Sequence, residues 1–387
     1  MDTYLLKHTR AVTETGILDC DMLIKGGKIA AMAPDLEVCA PAWDLNRAFV
    51  LPGFIDIHTH GAKGVDINNA SPQDIVRLAG QYAAYGVTSF LPTVACDSPE
   101  AMMSAVKNIV KASRLEGSGA RILGIHLEGP FLSPEFKGSL PQRYLRLPDQ
   151  VLFDSLLTAS DGLLKLMTLA PELPGSCELI RHAVKMGVRV SMGHSGASYE
   201  QAMDAISAGV LASTHTFNGM LLFHQHRPAI MGAALESGVY CEAICDGRHL
   251  HPGTVRLLLK VKGTNRVIAV TDSIMAAGMP DGAYRLGSQS LVVEGGDAWL
   301  ADGSSRAGST LTMIQALHNL LNFTGCTLRQ ASTMLSKNPA GLLGLEHRKG
   351  SLAPGMDADY LILDSSLDLA ACAAEGKCLF KKTIGGD

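Results

Sequence analysis

The sequence contains no uninterrupted stretch of about 18 apolar residues, and its first residues lack the basic start and apolar core of a signal peptide. It also lacks a run of basic residues. The formal net charge of -4 gives no electrostatic basis for binding nucleic acid or an anionic membrane surface. We therefore predict a cytoplasmic protein with neither a nucleic-acid nor a membrane partner.

Disulfide, repeat and dinucleotide-binding signals are missing as well. The nine cysteines are scattered without C-x-x-C spacing, which indicates reduced packing residues rather than a disulfide framework. No repeat of about 20 to 50 residues suggests a solenoid, and no G-x-G-x-x-G follows the first strand of the central region. What remains is a chain of 387 residues, 47% of them hydrophobic, which can bury a substantial core.

Both ends of the chain show the alternation of β-strands. Residues 1 to about 50 alternate apolar and polar side chains and turn at Gly26-Gly27, which is a hairpin signal. A matching pattern returns in residues 350–363. We predict a small β-sandwich domain formed by both chain termini, from residues 1–51 and 345–387.

Residues 52–344 alternate apolar segments with helical ones. Helix starts are marked at Ser71-Pro72 and Ser98-Pro99, where a capping serine precedes a proline. Eight such units predict an α/β fold, a (β/α)₈ TIM barrel rather than an open sheet. Strands are expected near 54–58, 87–92, 122–126, 164–169, 188–192, 211–215, 241–245 and 266–270. A glycine-rich insertion at 278–306, whose role stays open, precedes a helix expected to begin near Ser309.

Side chains that can bind metal follow several of these strands, at the barrel end that carries the chemistry in such enzymes. They are His58 and His60 after strand one, Glu128 after strand three, His194 after strand five, His215 after strand six, and Asp272 after strand eight. Imidazole combined with carboxylate suits zinc better than magnesium or calcium. We predict a divalent metal cofactor, with zinc favoured and iron as the alternative.

The number of ions per chain is either one or two. Glu128, His194 and His215 form a set of three ligands that leaves a position for water, which is typical of a catalytic metal. His58 and His60 lie two residues apart on a strand, so both face the same side and could hold a second ion bridged by Glu128.

Further residues suit catalysis and phosphate binding. Asp272 is a candidate base that takes a proton from water, although it could instead cap a helix. His249 could polarise a scissile carbonyl, or could be structural. Backbone N–H groups at Asn218-Gly219, with the cation of His226-Arg227 nearby, suit a phosphate.

Taken together, the motifs of the central region resemble those of N-acetylglucosamine-6-phosphate deacetylases of the amidohydrolase superfamily, and the resemblance covers nearly the whole chain. They are His126-Leu127-Glu128-Gly129-Pro130-Phe131, Gly193-His194-Ser195, Thr214-His215 with Phe217-Asn218-Gly219-Met220, His226-Arg227-Pro228, Asp246-Gly247 with His249, Thr271-Asp272 and Ala307-Gly308-Ser309-Thr310.

The resemblance implies an enzyme of amino sugar metabolism that hydrolyses the acetamide of an N-acetylhexosamine 6-phosphate to acetate and the amino sugar phosphate. It implies that the primary metal is bound by Glu128, His194 and His215. It further implies that Asp272 is the catalytic acid and base, that His249 contacts the substrate carbonyl, and that the phosphate is held by Asn218, Gly219 and Arg227. The arginine loop would reach the neighbouring subunit of a homodimer.

One departure from the family leaves the sugar open. Where the family commonly has Lys-Gly-x-His, this chain has Lys137-Gly138-Ser139-Leu140, so N-acetylgalactosamine 6-phosphate is an alternative substrate. A cyclic amidase is a second alternative, but the predicted end of strand four, Leu169–Glu172, lacks the metal-bridging lysine typical of that class. A metal-free barrel acting as a binding module is a third, disfavoured because the ligands and the base are intact.

Overall fold

The computed structural model describes residues 3–382. Its strands are β1 (Thr3–Val12), β2 (Ile17–Lys25), β3 (Lys28–Ala33), β4 (Ala42–Asp44), β5 (Phe49–Pro52), β6 (Phe54–Thr59), β7 (Gly61–Ala62), β8 (Val65–Asp66), β9 (Val87–Ala95), β10 (Arg121–Ile122), β11 (Ile125–Glu128), β12 (Leu164–Leu169), β13 (Arg189–Met192), β14 (Val210–Ser213), β15 (Tyr240–Ile244), β16 (Val267–Val270), β17 (Gly282–Leu286), β18 (Gln289–Glu294), β19 (Asp297–Leu300), β20 (Tyr360–Leu363), β21 (Leu369–Ala374) and β22 (Lys377–Lys381).

Helices follow the central strands in alternation. They are α1 (Pro72–Ala83), α2 (Pro99–Ser113), α3 (Gln150–Ala159), α4 (Ser176–Lys185), α5 (Tyr199–Ala208), α6 (Ala229–Glu236), α7 (Pro252–Lys262), α8 (Met313–Thr324), α9 (Leu328–Ser332) and α10 (Asn338–Leu343). Among the described residues no helix is both long and apolar enough to cross a membrane.

The central strands form a parallel barrel. Strand β6 pairs with β9, and the sheet continues through β11, β12, β13, β14 and β15 to β16. The ring closes beyond the last strand, where the His60 N–H donates to the Ser273 carbonyl at 2.7 Å and the Asp272 N–H donates to the His58 carbonyl at 2.9 Å. The predicted (β/α)₈ barrel is confirmed, and its closure brings the ends of the first and eighth strands together.

The helix starts expected from the sequence are also confirmed. Ser71 accepts a hydrogen bond from the Asp74 N–H while the Asp74 side chain accepts from the Ser71 N–H, forming a capping box before α1. Ser98 caps α2 by accepting from the Ala101 N–H. These caps satisfy backbone donors that the first helical turn leaves without partners.

The helix after the insertion begins later than expected, at Met313 rather than near Ser309. The Ser309 N–H donates to the Asp272 carbonyl at 2.8 Å, and the Ile274 N–H donates to the Ser309 carbonyl at 3.0 Å. Ser309 is therefore held in a bridge beside the end of strand eight, and Thr312 caps the helix instead. The 278–306 insertion contains the antiparallel sheet β17–β18–β19.

The chain termini meet in a separate sheet with its own apolar core. Its strand order is β22-β21-β20-β5-β1-β2-β3, with β4 beside β1, so the C-terminal strands form one side of the sheet and join the N-terminal strands where β20 pairs with β5. The expected hairpin is present, with Lys25 opposite Lys28 across the Gly26-Gly27 turn. A β domain from both termini is thus part of the fold, whereas the exact division at residues 51 and 345 stays a prediction.

Candidate metal centre and catalytic site

Two groups of potential metal ligands lie beside each other, drawn from the ends of five different barrel strands. Within each group the ligand atoms lie within 4.8 Å of one another, and every side chain is buried. One group is His58, His60 and Asp272, and the other is Glu128, His194 and His215. The structure therefore brings together the complete set of metal ligands predicted from the sequence.

Glu128 stands between the two groups. Its Oε1 lies 3.1 Å from Nε2 of His215 and 3.2 Å from Nε2 of His194. Its Oε2 lies 3.2 Å from Nε2 of His60. Oε1 also lies 3.4 Å from Nε2 of His58, so the carboxylate contacts histidines of both groups, as expected of a ligand shared between two ions.

The hydrogen bonds at the far side of the histidines also suit metal binding. Nδ1–H of His194 donates to the Phe136 carbonyl at 2.9 Å, so Nε2 is the ring nitrogen that faces Glu128. A metal-binding histidine commonly donates its other ring N–H in this way. Nε2 of His215 lies only 3.0 Å from Nε2 of His194, so the two nitrogens converge on one point together with the carboxylate.

The charges within the site favour a cation at its centre. Burial disfavours the charged form of His60, but hydrogen bonds to Asp272 and Glu128 outweigh burial and raise the pKa of His60 to about 9. Burial also opposes ionisation of Glu128, yet His58 and the hydrogen bonds from the other histidines hold its pKa well below the usual value. Buried carboxylates that recruit positive charge fit a divalent cation, which would displace the histidine protons. The residues present thus fit the metal that the sequence predicts.

Three of these residues have backbone conformations that side chains rarely adopt. The φ angles are 48° at His194, 30° at His215 and 48° at Asp272, all in the left-handed region. Such conformations cost about 1–3 kcal/mol each and cluster at functional sites, where the surrounding structure enforces them. The strained turns direct the three side chains to the centre of the barrel mouth instead of along the outgoing loops.

The backbone at position 219 passes so close to the His194 ring that only glycine fits there. A Cβ atom at this position would lie 2.9 Å from Nδ1 of His194 and 3.2 Å from the Phe136 carbonyl oxygen. Its φ of 58° also favours glycine. The segment after strand six therefore packs directly against the hydrogen bond that orients His194.

His249 is paired with an acid from the same loop. Its Nδ1 lies 2.7 Å from Oδ2 of Asp246, and Oδ1 of Asp246 accepts from the His249 N–H at 2.7 Å. Burial raises the pKa of Asp246, but the hydrogen bond from His249 and the electrostatic attraction to the His249 ring outweigh burial and lower that pKa overall. Nδ1–H is thus committed to Asp246, and the ring orientation is fixed.

Of the residues predicted to bind phosphate, Asn218 contacts a ligand residue directly, whereas His226 and Arg227 do not. The Asn218 N–H and side-chain amide both donate to the His215 carbonyl, at 2.9 Å and 3.1 Å. His226 and Arg227 lie on an exposed loop. Within residues 3–382, no ion pair joins either of them to the ligand groups.

Reasoning from the sequence missed Glu242, a fully buried carboxylate on β15 that contacts both His58 and the backbone of His215. A signal was present, because Glu242 interrupts the otherwise apolar segment Val239–Cys245. A charged residue inside such a segment needs a partner in the interior.

The fold and the site agree with a comparison against known families. The model of the amidohydrolase family matches residues 49–383, so the chain belongs to the amidohydrolase family. That family is metal-dependent, in keeping with the two ligand groups.

Within the family, the similarity extends to deacetylases of N-acetylhexosamine phosphates. The chain is 36% identical to the N-acetylgalactosamine-6-phosphate deacetylase of Escherichia coli O157:H7, over 97% of this chain and 99% of that protein. It is also 36% identical to the N-acetylglucosamine-6-phosphate deacetylase of Bacillus subtilis, over 98% of each. Identity alone therefore does not distinguish the two sugars.

Solved structures show the same likeness. The N-acetylglucosamine-6-phosphate deacetylase of Thermotoga maritima is 35% identical with a TM-score of 0.89, covering 98% of this chain and 100% of that one. A mutant of the Mycobacterium smegmatis enzyme in complex with N-acetyl-D-glucosamine-6-phosphate is 31% identical with a TM-score of 0.92, covering 98% of this chain and 100% of that one.

Proposed function

We propose that this protein hydrolyses the acetamide of an N-acetylhexosamine 6-phosphate, releasing acetate and the amino sugar 6-phosphate. The observation that carries the proposal is the convergence of two buried ligand groups on Glu128, beside Asp272 and the Asp246–His249 pair. Full-length similarity to deacetylases of this class supports it. N-acetylglucosamine 6-phosphate is the favoured substrate.

The metal is held by the chain's own side chains. Glu128, His194 and His215 hold the primary ion, and His58 with His60 holds a second. A divalent ion in such a donor set supplies Lewis-acid chemistry, acidifying water and polarising a carbonyl. Zinc is favoured and iron is the alternative.

Asp272 moves the proton. Its carboxylate takes a proton from the attacking water as the water oxygen bonds to the acetyl carbon. It then gives that proton to the sugar nitrogen as the carbon–nitrogen bond breaks, so that acetate and a free amine leave. Asp272 lies where the barrel closes, and its Oδ1 is 3.2 Å from Nε2 of His60, so the carboxylate is beside the ligand groups.

His249 stabilises the charge that develops on the acetyl oxygen. Asp246 fixes the ring through Nδ1–H at 2.7 Å and balances the charge of an imidazolium. In that form Nε2–H donates to the carbonyl oxygen, where negative charge accumulates as the water attacks.

The phosphate is held by Arg227 and His226 with the backbone at Asn218 and Gly219. Because the Asn218 N–H already donates to the His215 carbonyl, Gly219 and Arg227 carry most of this contact. The exposed loop is proposed to complete the site of a partner subunit in a homodimer. The cytoplasmic location stays a prediction.

N-acetylgalactosamine 6-phosphate is the second candidate substrate. Leu140 stands where the family commonly has a histidine, and it is buried in an apolar cluster with Leu132 and Ile274. It therefore offers the sugar no hydrogen bond.

A panel of substrates tests the proposal. Acetate release is measured with N-acetylglucosamine 6-phosphate, N-acetylgalactosamine 6-phosphate and both unphosphorylated sugars, using protein reconstituted with zinc or iron. We expect rapid turnover of at least one phosphorylated sugar, which the apo protein does not show. Absence of acetate release from every sugar with metal-loaded protein would refute the assignment.

A further inference from the structure

Glu242 is a buried carboxylate for which the proposed reaction has no role. It lies in the interior of β15 with a relative exposure of 0%, between the apolar residues Cys241 and Ala243. Among the described residues it forms no ion pair with a lysine or an arginine, and its Oε1 has no hydrogen-bond partner. Burying a carboxylate costs free energy of folding unless the carboxylate is paired or hydrogen-bonded, so the contacts of Glu242 need an explanation.

The contacts of its other oxygen lead to the metal centre. Oε2 lies 2.9 Å from Nδ1 of His58 and accepts the backbone N–H of His215 at 3.0 Å. Glu242 therefore contacts one member of each ligand group, a histidine ring in the first and only a main-chain group in the second.

The bond to the ring decides which nitrogen of His58 is available. Because Nδ1–H donates to Glu242, Nε2 is the ring nitrogen left to bind a cation. That Nε2 atom lies 3.4 Å from Oε1 of Glu128 and 3.5 Å from Oδ1 of Asp272. It is buried and has no hydrogen-bond partner in the described chain. The arrangement is that of a histidine held by a carboxylate so that its free nitrogen faces a metal.

We propose that Glu242 is a positioning residue, which holds His58 in the orientation and tautomer that bind an ion at the His58, His60 and Asp272 group. This inference rests on the proposed function, because it requires an ion at that group. It goes beyond the ligand set, because it proposes that the affinity for the second ion depends on a residue that touches neither substrate nor metal.

A second arrangement supports the same ring from another direction. The His126 ring packs edge-on against the His58 ring, with centroids 4.7 Å apart. Hydroxyl groups of Thr93 and Thr168 lie 3.2 Å and 2.9 Å from its two nitrogens. Both nitrogens of His126 are therefore occupied by threonine hydroxyls, and its ring restrains His58 only by packing against it. Glu242 provides the polar contact at Nδ1 of His58.

The test compares two variants of Glu242 with a matched control. Zinc is titrated into full-length apo protein in competition with a chromophoric chelator, which yields the number of ions and both affinities. Glu242→Ala should weaken one of the two ions about 10- to 100-fold, as is typical when the outer partner of a ligand is removed, and leave the other within a few-fold. Glu242→Gln should recover most of the loss, because its amide oxygen can still accept from Nδ1–H.

The control is Asp21→Asn in β2 of the terminal sheet. Asp21 is also buried, with 3% exposure, and accepts backbone N–H groups from His8 at 2.9 Å and Leu36 at 3.1 Å. Its variant should lose thermal stability but keep both zinc affinities. A role of Glu242 in folding alone would give the same pattern as this control.

Native affinity for both ions in Glu242→Ala overturns the proposal, and so does an equal loss at both. If Glu242→Ala does not fold, Glu242→Asp replaces it, because the shorter side chain withdraws the carboxylate from His58 while keeping its charge. Unchanged affinities in Glu242→Asp then overturn the proposal. A single zinc equivalent in the unmutated protein refutes the two-ion site and this inference together. Two equivalents with unchanged affinities in the variants refute this inference alone.

Discussion

Replacing Asp272 with asparagine separates proton transfer from the architecture of the site. Asp272 is 7% exposed and has a φ of 48°, and its backbone N–H donates to the His58 carbonyl. Asparagine keeps the shape and tolerates this backbone conformation, but its amide cannot take a proton from water. General acid–base catalysis contributes about 10²- to 10⁴-fold, so kcat should fall by that factor. The loss corresponds to about 3–5 kcal/mol of activation free energy.

The assay must control for metal loss, because Oδ1 of Asp272 also lies 3.2 Å from Nε2 of His60 within a ligand group. Acetate release is therefore measured at saturating zinc, and the zinc content of the same samples is determined by elemental analysis. We expect the ion at Glu128, His194 and His215 to remain while turnover collapses. A kcat within tenfold of the unmutated protein at equal zinc content would show that Asp272 is not the base.

Three further predictions follow from the geometry. Arg227→Ala should raise KM for the phosphorylated sugar much more than for the unphosphorylated one, since only the former loses a charged contact; equal changes in steady-state kinetics would contradict the phosphate role. The double change His58→Gln with His60→Asn should remove one equivalent of metal by elemental analysis, and a single equivalent already present in the unmutated protein would place both histidines outside the ligand set. Gly219→Ala should weaken zinc binding in a chelator competition, because its Cβ would lie 2.9 Å from Nδ1 of His194, and native affinity would argue against that tight packing.

Features that depend on neighbours along the chain were predictable in detail. The strand expected at 164–169 is Leu164–Leu169, and the helices expected after Ser71 and Ser98 begin at Pro72 and Pro99. Side-chain periodicity, capping and proline chemistry act within a few residues, so the local sequence contains the necessary information. The expectation near Ser309 failed because a contact with Asp272, far away in sequence, holds that segment out of the helix.

The sequence by itself determined the alternation of strands and helices and the chemistry at the strand ends, and hence the barrel and its candidate ligands. Only the tertiary structure decided how those ligands are supported. Glu242 lies 184 residues from His58 along the chain, and their contact exists because barrel closure brings the strands that carry them to one interior. The left-handed turns at His194, His215 and Asp272 are likewise enforced by the surrounding fold, since the local preference of these residues opposes them.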